Sequence, residues 1–226
     1  MRALYDLLKP ARMTSIVDVG SNPVDGAPPY ARMLDEGLCH VTAIDPKGKT
    51  VSHPNVRSLR DAVGDGTEAT LNVCALEGMT SLQTLNRARS RLFPGMAEWG
   101  EVKYREPIKT TRLDDIDVGA IDLLKMDIQG SEIACLRSGR LKLSKCVAIM
   151  TEVSFVPLYN GQPTFGEMDA ELRHMGFMPH CFAEAKVWPL ATKMPVPNAA
   201  PHQLLEADVV YIRDVRDMRT LSDASR

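Results

Sequence analysis

Five acidic residues stand where an apolar, β-branched run gives way to loop residues. They are Asp18 in "SIVDVG", Asp45 in "CHVTAIDP", Asp61 in "NVRSLRDA", Asp127 in "IDLLKMDI" and Glu152 in "CVAIMTEV". A carboxylate offers two acceptor oxygens, which suit a vicinal diol, and a positioned one can take the proton of a hydroxyl. Each acid alone has a plain alternative, because Asp commonly caps the next helix. Acids at successive strand ends describe a polar cleft, since ligands of open α/β sheets sit beyond the carboxyl ends of the strands. Lys125, two residues before Asp127, is placed either to orient Asp127 or Glu152 or to pair with a surface acid.

The first of these runs continues as "VDVGSNPVDGAPPY". Gly20 lets backbone approach a ligand, and Asp45 lies where a dinucleotide-fold acid meets ribose hydroxyls. A pyrophosphate, however, needs two more closely spaced glycines. Pro23 has no N–H to donate, and Asp25 repels phosphate. A nucleoside with a cationic or zwitterionic group fits better. S-adenosylmethionine has a sulfonium, an amino-acid tail and no phosphate.

The elements that must carry these residues follow from local pattern. Leu4, Leu7 and Leu8 predict a short helix over residues 2–9, stopped by Pro10. Ser15 to Val19 is a buried strand, and Pro28-Pro29 opens a helix that ends at Gly37. "CHVTAIDP" is the second strand, and "NVRSLRDAVGDG" is a third, closed by the Gly64-Asp65-Gly66 turn. "TEATLNVCAL" alternates with period two and predicts an antiparallel partner strand. A helix is expected near Leu82 to Leu92. "EVKYREPIKTTRL" reads as a strand, "IDLLKMDI" as a buried strand, "GSEIACLRSG" as a helix and "CVAIMTEVSF" as another buried strand. In "TFGEMDAELRHMGF", Thr164 and Glu167 have capping-box spacing. "FMPHCFAEAKVWPL" and "QLLEADVVYIRD" are strands joined by the proline-rich "ATKMPVPNAAP". Strands alternating with helices imply a mostly parallel sheet with helices on both faces, and the last two strands an antiparallel hairpin at its C-terminal edge. The expected division is an N-terminal helix (1–14), one domain (15–213) and a C-terminal tail or helix (214–226).

Composition narrows the function class. The 226 residues are 44% hydrophobic and 25% charged, enough for one sizeable core. A net charge of −2 and the lack of basic stripes argue against a nucleic-acid partner. No apolar run approaches the roughly 18 residues of a membrane span, and "MRALYDLLKPARM" is too short and amphipathic for a signal peptide. The five cysteines and five histidines show no metal-ligand spacing. Reduced, mostly buried thiols, no metal and a cytoplasmic location are the expectation. Met33, Met168 and Met175 read as core fillers, and His180 and Tyr159 as packing residues before acceptor contacts.

Over residues 15 to 213 the chain resembles the FkbM-type methyltransferases, a class I S-adenosylmethionine-dependent family. "IDLLKMDIQGSE" is similar to that family's run of hydrophobic residues, Lys, Asp, Glu-Gly and Glu. Lys125, Asp127, Gly130 and Glu132 match, and Gln129 stands where glutamate is commoner. "VDVGSN" resembles the family's Asp-x-Gly-Ala-Asn, with Asp18, Gly20 and Asn22 in place; Val24 replaces a later glycine. "TTRLDDI" resembles the linker into the fourth parallel strand, and "TEVSFVPLY" the acid-ended fifth.

The resemblance implies a Rossmann-like sheet and S-adenosylmethionine held by Asp18, Gly20, Asn22, Asp45, Asp61 and Ala62, with Asp61-Ala62 near the adenine. It implies methyl transfer to oxygen, often a hydroxyl on a sugar, glycan or glycosylated metabolite. Asp127 or Glu152 then serves as base, with Lys125 orienting. Acceptor specificity is expected in residues 78–108 and 190–203, and a homodimer is left open. Two rivals remain: a non-catalytic Rossmann-like binding module, kept open by Gln129 and Val24, and a nicotinamide-dependent oxidoreductase, opposed by Pro23-Val24.

Overall fold

The computed structural model describes residues 2–22, 27–191 and 201–214. The loop residues Pro23, Val24 and Asp25, the proline-rich segment 192–200 and the tail 215–226 lie outside them. In chain order the elements are α1 (Arg2–Leu8), β1 (Thr14–Val19), α2 (Ala31–Asp35), β2 (Cys39–Ile44), β3 (Val56–Leu59), β4 (Ala62–Gly64), β5 (Glu68–Cys74), α3 (Arg87–Ser90), α4 (Met96–Trp99), β6 (Val102–Arg112), β7 (Leu123–Met126), α5 (Glu132–Ser138), β8 (Ala148–Ser154), α6 (Phe165–His174), β9 (Phe177–Pro189) and β10 (His202–Arg213).

The main sheet runs β3-β2-β1-β7-β8-β10-β9. Its first five strands are parallel, and β10 is antiparallel to both β8 and β9. The chain order reverses between β1 and β7, which creates the crevice where such sheets bind ligands. Strand alternation sorts the core. Ile16, Cys39 and Val41 face Tyr30, Met33 and Leu34 around α2. Val17, Val19, Leu124, Met126, Ile149 and Val153 face the opposite way, toward Cys135 and Leu136 of α5 and Met168 and Leu172 of α6. Helices therefore cover both faces. Met33, Met168 and Met175 pack in these clusters, and four cysteines are buried while Cys181 is exposed.

The expected third strand is corrected. It divides after Leu59, so that β3 closes the main sheet while β4 joins a second sheet of order β4-β6-β5. Gly64-Asp65-Gly66 still turns the chain, and Asp65 accepts from the backbone N–H of Thr67 at 3.0 Å. However, β4 and β5 lie on either side of β6 rather than forming a hairpin. Pro107, which has no N–H to give, sits where β6 pairs with β5 alone. The expected helix near 82–92 is also corrected. That stretch holds only the four-residue α3, capped by Asn86; a Leu82 to Leu92 helix lacks a continuous apolar stripe to bury. Among the described residues no helix is long and apolar enough to cross a membrane.

Candidate active site

The site begins where β1 and β7 end side by side. Gly20 has φ +81°, and a Cβ there would meet the Asp127 carbonyl oxygen at 1.9 Å. Only glycine permits this approach. Asp18, 2% exposed, is the register neighbour of Lys125. It accepts from the Tyr30 hydroxyl at 2.5 Å and from the Lys125 ammonium at 3.1 Å. Lys125 thus sits on Asp18, not on Asp127 or Glu152 and not on a surface acid. The Tyr30 phenol, buried against a carboxylate, is pushed upward and stays a donor.

On the other side of Gly20, Asp45 borders a cavity of about 180 Å³ whose wall includes Ser21, Gly48, Lys49, Thr50 and Arg60. One Asp45 oxygen accepts the Lys47 N–H at 2.7 Å, the Asx turn of Asp45-Pro46. Burial raises its proton affinity, countered by that bond. Asn22 reaches Glu77 at 3.5 Å, an acid unmarked in the sequence and also felt by Asp45. Asp61 and Ala62 do not line this cavity. Asp61 accepts from Thr111 of β6 at 3.0 Å, because the strand break after Leu59 turns it toward the second sheet.

Asp127 and Glu152 do converge. The Gln129 amide nitrogen donates to Asp127 at 2.6 Å and to Glu152 at 3.3 Å. Gln129 holds a left-handed φ of +52°, rare for a residue with a Cβ, and the buried Ser81 hydroxyl bonds its carbonyl at 2.6 Å. A glutamate here would add a third carboxyl with nothing to donate when ionised; the amide instead donates to both acids. The helix that follows, α5, has no side-chain cap from Asp127 or any other residue; its first residue, Glu132, ties down the loop before it instead. That buried carboxylate accepts from the N–H groups of Ile128 at 3.2 Å and Gly130 at 3.1 Å, and burial pushes it up to about 7.

Glu152, almost fully buried, pairs with Lys186 of β9 at 2.6 Å. It also lies within hydrogen-bond reach of Glu206 on β10. Burial first, then Asp127 and Glu206, raise Glu152 well above the carboxylate range, against the pull of Lys186. Lys186, Glu206 and Asp208 were not marked in the sequence. Their one signal was the acid-x-acid alternation of Glu206 and Asp208 inside an apolar strand. Tyr159 is buried, its hydroxyl on the Met79 carbonyl at 3.0 Å, and His180 is exposed on β9. Among the described residues, no group of three or more His, Cys, Asp or Glu is arranged to hold a metal ion.

A reversed parallel sheet with a last antiparallel pair, a glycine crossover and acids at its strand ends defines the class I methyltransferase architecture, the S-adenosylmethionine-dependent class. The chain belongs to the Methyltransferase FkbM domain family, whose family model matches residues 18–179. Among solved structures, it is similar to the methyltransferase FkbM from Methylobacillus flagellatus KT, at 13% identity and TM-score 0.45, covering 88% of this chain and 43% of that one. It thus spans less than half the length of that protein. It is also similar to magnesium protoporphyrin IX methyltransferase from Synechocystis with bound S-adenosylmethionine, at 12% identity and TM-score 0.38, covering 93% and 75%. A third likeness is precorrin-6y C5,15-methyltransferase from Geobacter metallireducens, at 10% identity and TM-score 0.37, covering 94% and 87%. No curated protein sequence matches the chain.

The residues present fit the cofactor of that class. The bare Gly20 backbone and the Asp45 carboxylate at a small cavity suit an uncharged ribose diol. Gly20, Asn22 and Asp45 are the residues that would hold the nucleoside and its tail, whereas Asp18, with both oxygens taken by Tyr30 and Lys125, supports the loop from beneath.

Proposed function

We propose that this protein transfers a methyl group from S-adenosylmethionine to a hydroxyl of a sugar, glycan or glycosylated metabolite, with Asp127 as the base. When bound, the cofactor supplies an activated methyl on a sulfonium, so the protein's task is to position the acceptor and remove its proton. The observation that carries the reading is the Gln129 amide, which brings Asp127 and Glu152 to one point beside the Gly20 crossover. Asp127 would take the proton that the acceptor hydroxyl loses when its oxygen displaces S-adenosylhomocysteine from the methyl carbon. Glu152, raised by burial and by its acidic neighbours, stays protonated more readily and steers the acceptor. Lys125 acts indirectly, by fixing Asp18 beneath the loop.

The test has two parts on one Asp127→Asn sample. A panel of glycosides is screened for methyl transfer from labelled donor, and donor affinity is measured by calorimetry with S-adenosylhomocysteine. The expected result is a single-turnover rate lowered about 10²–10⁴-fold with donor affinity retained. A normal rate per folded molecule removes Asp127 as base.

A further inference from the structure

The Gln129 amide owes its place to the peptide group that follows it. Gln129 sits at φ +52°, a left-handed conformation that a residue with a Cβ keeps only when its surroundings enforce it. The Gln129–Gly130 peptide is gripped at both ends. Its carbonyl accepts from the Ser81 hydroxyl at 2.6 Å, and its N–H donates to the Glu132 carboxyl at 3.1 Å. Glu132 is a neighbour in sequence, but Ser81 lies 48 positions away. Ser81 is 2% exposed, and its oxygen accepts the Gln83 N–H at 2.9 Å. A hydroxyl has one proton, and that of Ser81 is committed to the Gln129 carbonyl. The segment carrying Ser81 is tied in turn to the second sheet. Ser81 and Asn72 of β5 exchange backbone hydrogen bonds at 2.8 and 3.2 Å. The buried Asn72 amide donates to the Ser81 and Gln83 carbonyls, each at 3.2 Å. Its oxygen accepts from Arg105 of β6 at 3.1 Å, the residue opposite it in register. Arg105, Asn72, Ser81 and Gln129 thus connect β6 to Asp127 and Glu152.

We propose that Ser81 is a positioning residue for methyl transfer, and that the second sheet serves to deliver it to the Gln129 carbonyl. The inference rests on the methyltransferase reading above, with Asp127 as the base. While the carbonyl is held, the Gln129 side chain stays between Asp127 and Glu152 and its amide keeps the two acids at one point. Without the Ser81 hydroxyl the carbonyl loses its donor, and Gln129 relaxes toward negative φ. That rotation carries the Gly130 N–H off Glu132 and the side-chain amide off the acids. The Ile128 N–H also donates to Glu132, at 3.2 Å, but it belongs to a peptide that Ser81 does not touch. It is therefore an internal control.

Amide hydrogen exchange on the Ser81→Ala protein separates this role from general packing. The Gly130 N–H should exchange about tenfold faster, the worth of one lost hydrogen bond, while the Ile128 N–H keeps its rate. The Gln129 side-chain amide resonance, assigned through its loss in Gln129→Ala, should move toward that of solvated glutamine. Ser81→Thr keeps the hydroxyl and should restore both. With an acceptor from the glycoside panel, the Ser81→Ala single-turnover rate should fall about tenfold while S-adenosylhomocysteine affinity holds. The same substitution in a Gln129→Ala background should cost no further rate, since both act through one amide. Equal acceleration of Ile128 and Gly130, an unmoved Gln129 resonance or a normal Ser81→Ala rate overturns the proposal. Normal donor binding with any of these results sinks this inference alone. Absent donor binding in the unsubstituted protein sinks the methyltransferase reading, and the exchange rates still decide whether Ser81 holds the peptide.

Discussion

Single residues here carry demands that their neighbours cannot share. Gly20 lies so close to the Asp127 carbonyl that a Cβ has no room. Gly20→Ala should therefore destabilise the fold by at least about 2 kcal/mol and displace Asp127, which urea unfolding and donor calorimetry would both register. Glu132 gives a pH signature. Its carboxyl is pushed from an ordinary 4.5 up to about 7 by burial. As pH rises through that window the unfolded chain releases the proton first, so this side chain's contribution falls between about pH 4.5 and 7 and is level above. Glu132→Gln has no such proton to lose. Relative to the wild type it should gain on the order of 3 kcal/mol between pH 5 and 8, read as the difference between urea midpoints at the two pH values. A difference that does not change with pH removes Glu132 as the source.

At the scale of elements, short local signals hold where their partners are close in sequence. The α6 capping box is complete: the Thr164 hydroxyl accepts from the Glu167 N–H, and the Glu167 carboxylate accepts from the Thr164 N–H. Thr164→Ala should cost about 1 kcal/mol, measured by thermal unfolding, with donor affinity unchanged because α6 packs on the face opposite Asp18 and Asp127. The β9–β10 hairpin does more than close the sheet's edge. By inserting β10 beside β8 it delivers Glu206 and Asp208 to Glu152, and β9 then brings Lys186 over them. Lys186→Met leaves Glu152 buried without its cation; because burial already favours the protonated carboxyl, the loss should stay below about 3–5 kcal/mol, the cost of an uncompensated buried charge. Restoring neutrality with Lys186→Met and Glu152→Gln together should recover much of that loss.

For the whole molecule, donor binding and folding are linked. A ligand that binds only the native state at a hundred times its Kd adds about 2.7 kcal/mol. S-adenosylhomocysteine should accordingly raise the melting temperature by roughly 5–10 °C for a domain of this size, and NAD should not. Asp45→Ala should weaken that binding by about 1–3 kcal/mol, the worth of charge-assisted bonds to a diol, and shrink the thermal shift to match. An Asp45→Ala protein with full affinity would place the ribose elsewhere.

Much of this molecule was legible along the chain. Period-two and continuous apolar runs marked the strands, glycine and proline marked their ends, and Thr164 with Glu167 marked a helix start, because each signal depends on residues a few places apart. Asp18, Asp45, Asp127 and Glu152 could be placed at one edge for the same reason: a parallel sheet puts every strand's carboxyl end on the same side. What the chain could not disclose was which charges meet. Lys125 finds Asp18 across 107 positions and Lys186 finds Glu152 across 34. Both pairings follow from strand order and register, where a shift of one residue would turn each side chain to the opposite face. The break after Leu59 was equally hidden, since β4 leaves the main sheet only because β6, some fifty residues later, offers it a partner. Local pattern set the elements and the acids at their ends, and long-range pairing set the partners that give those acids their charge.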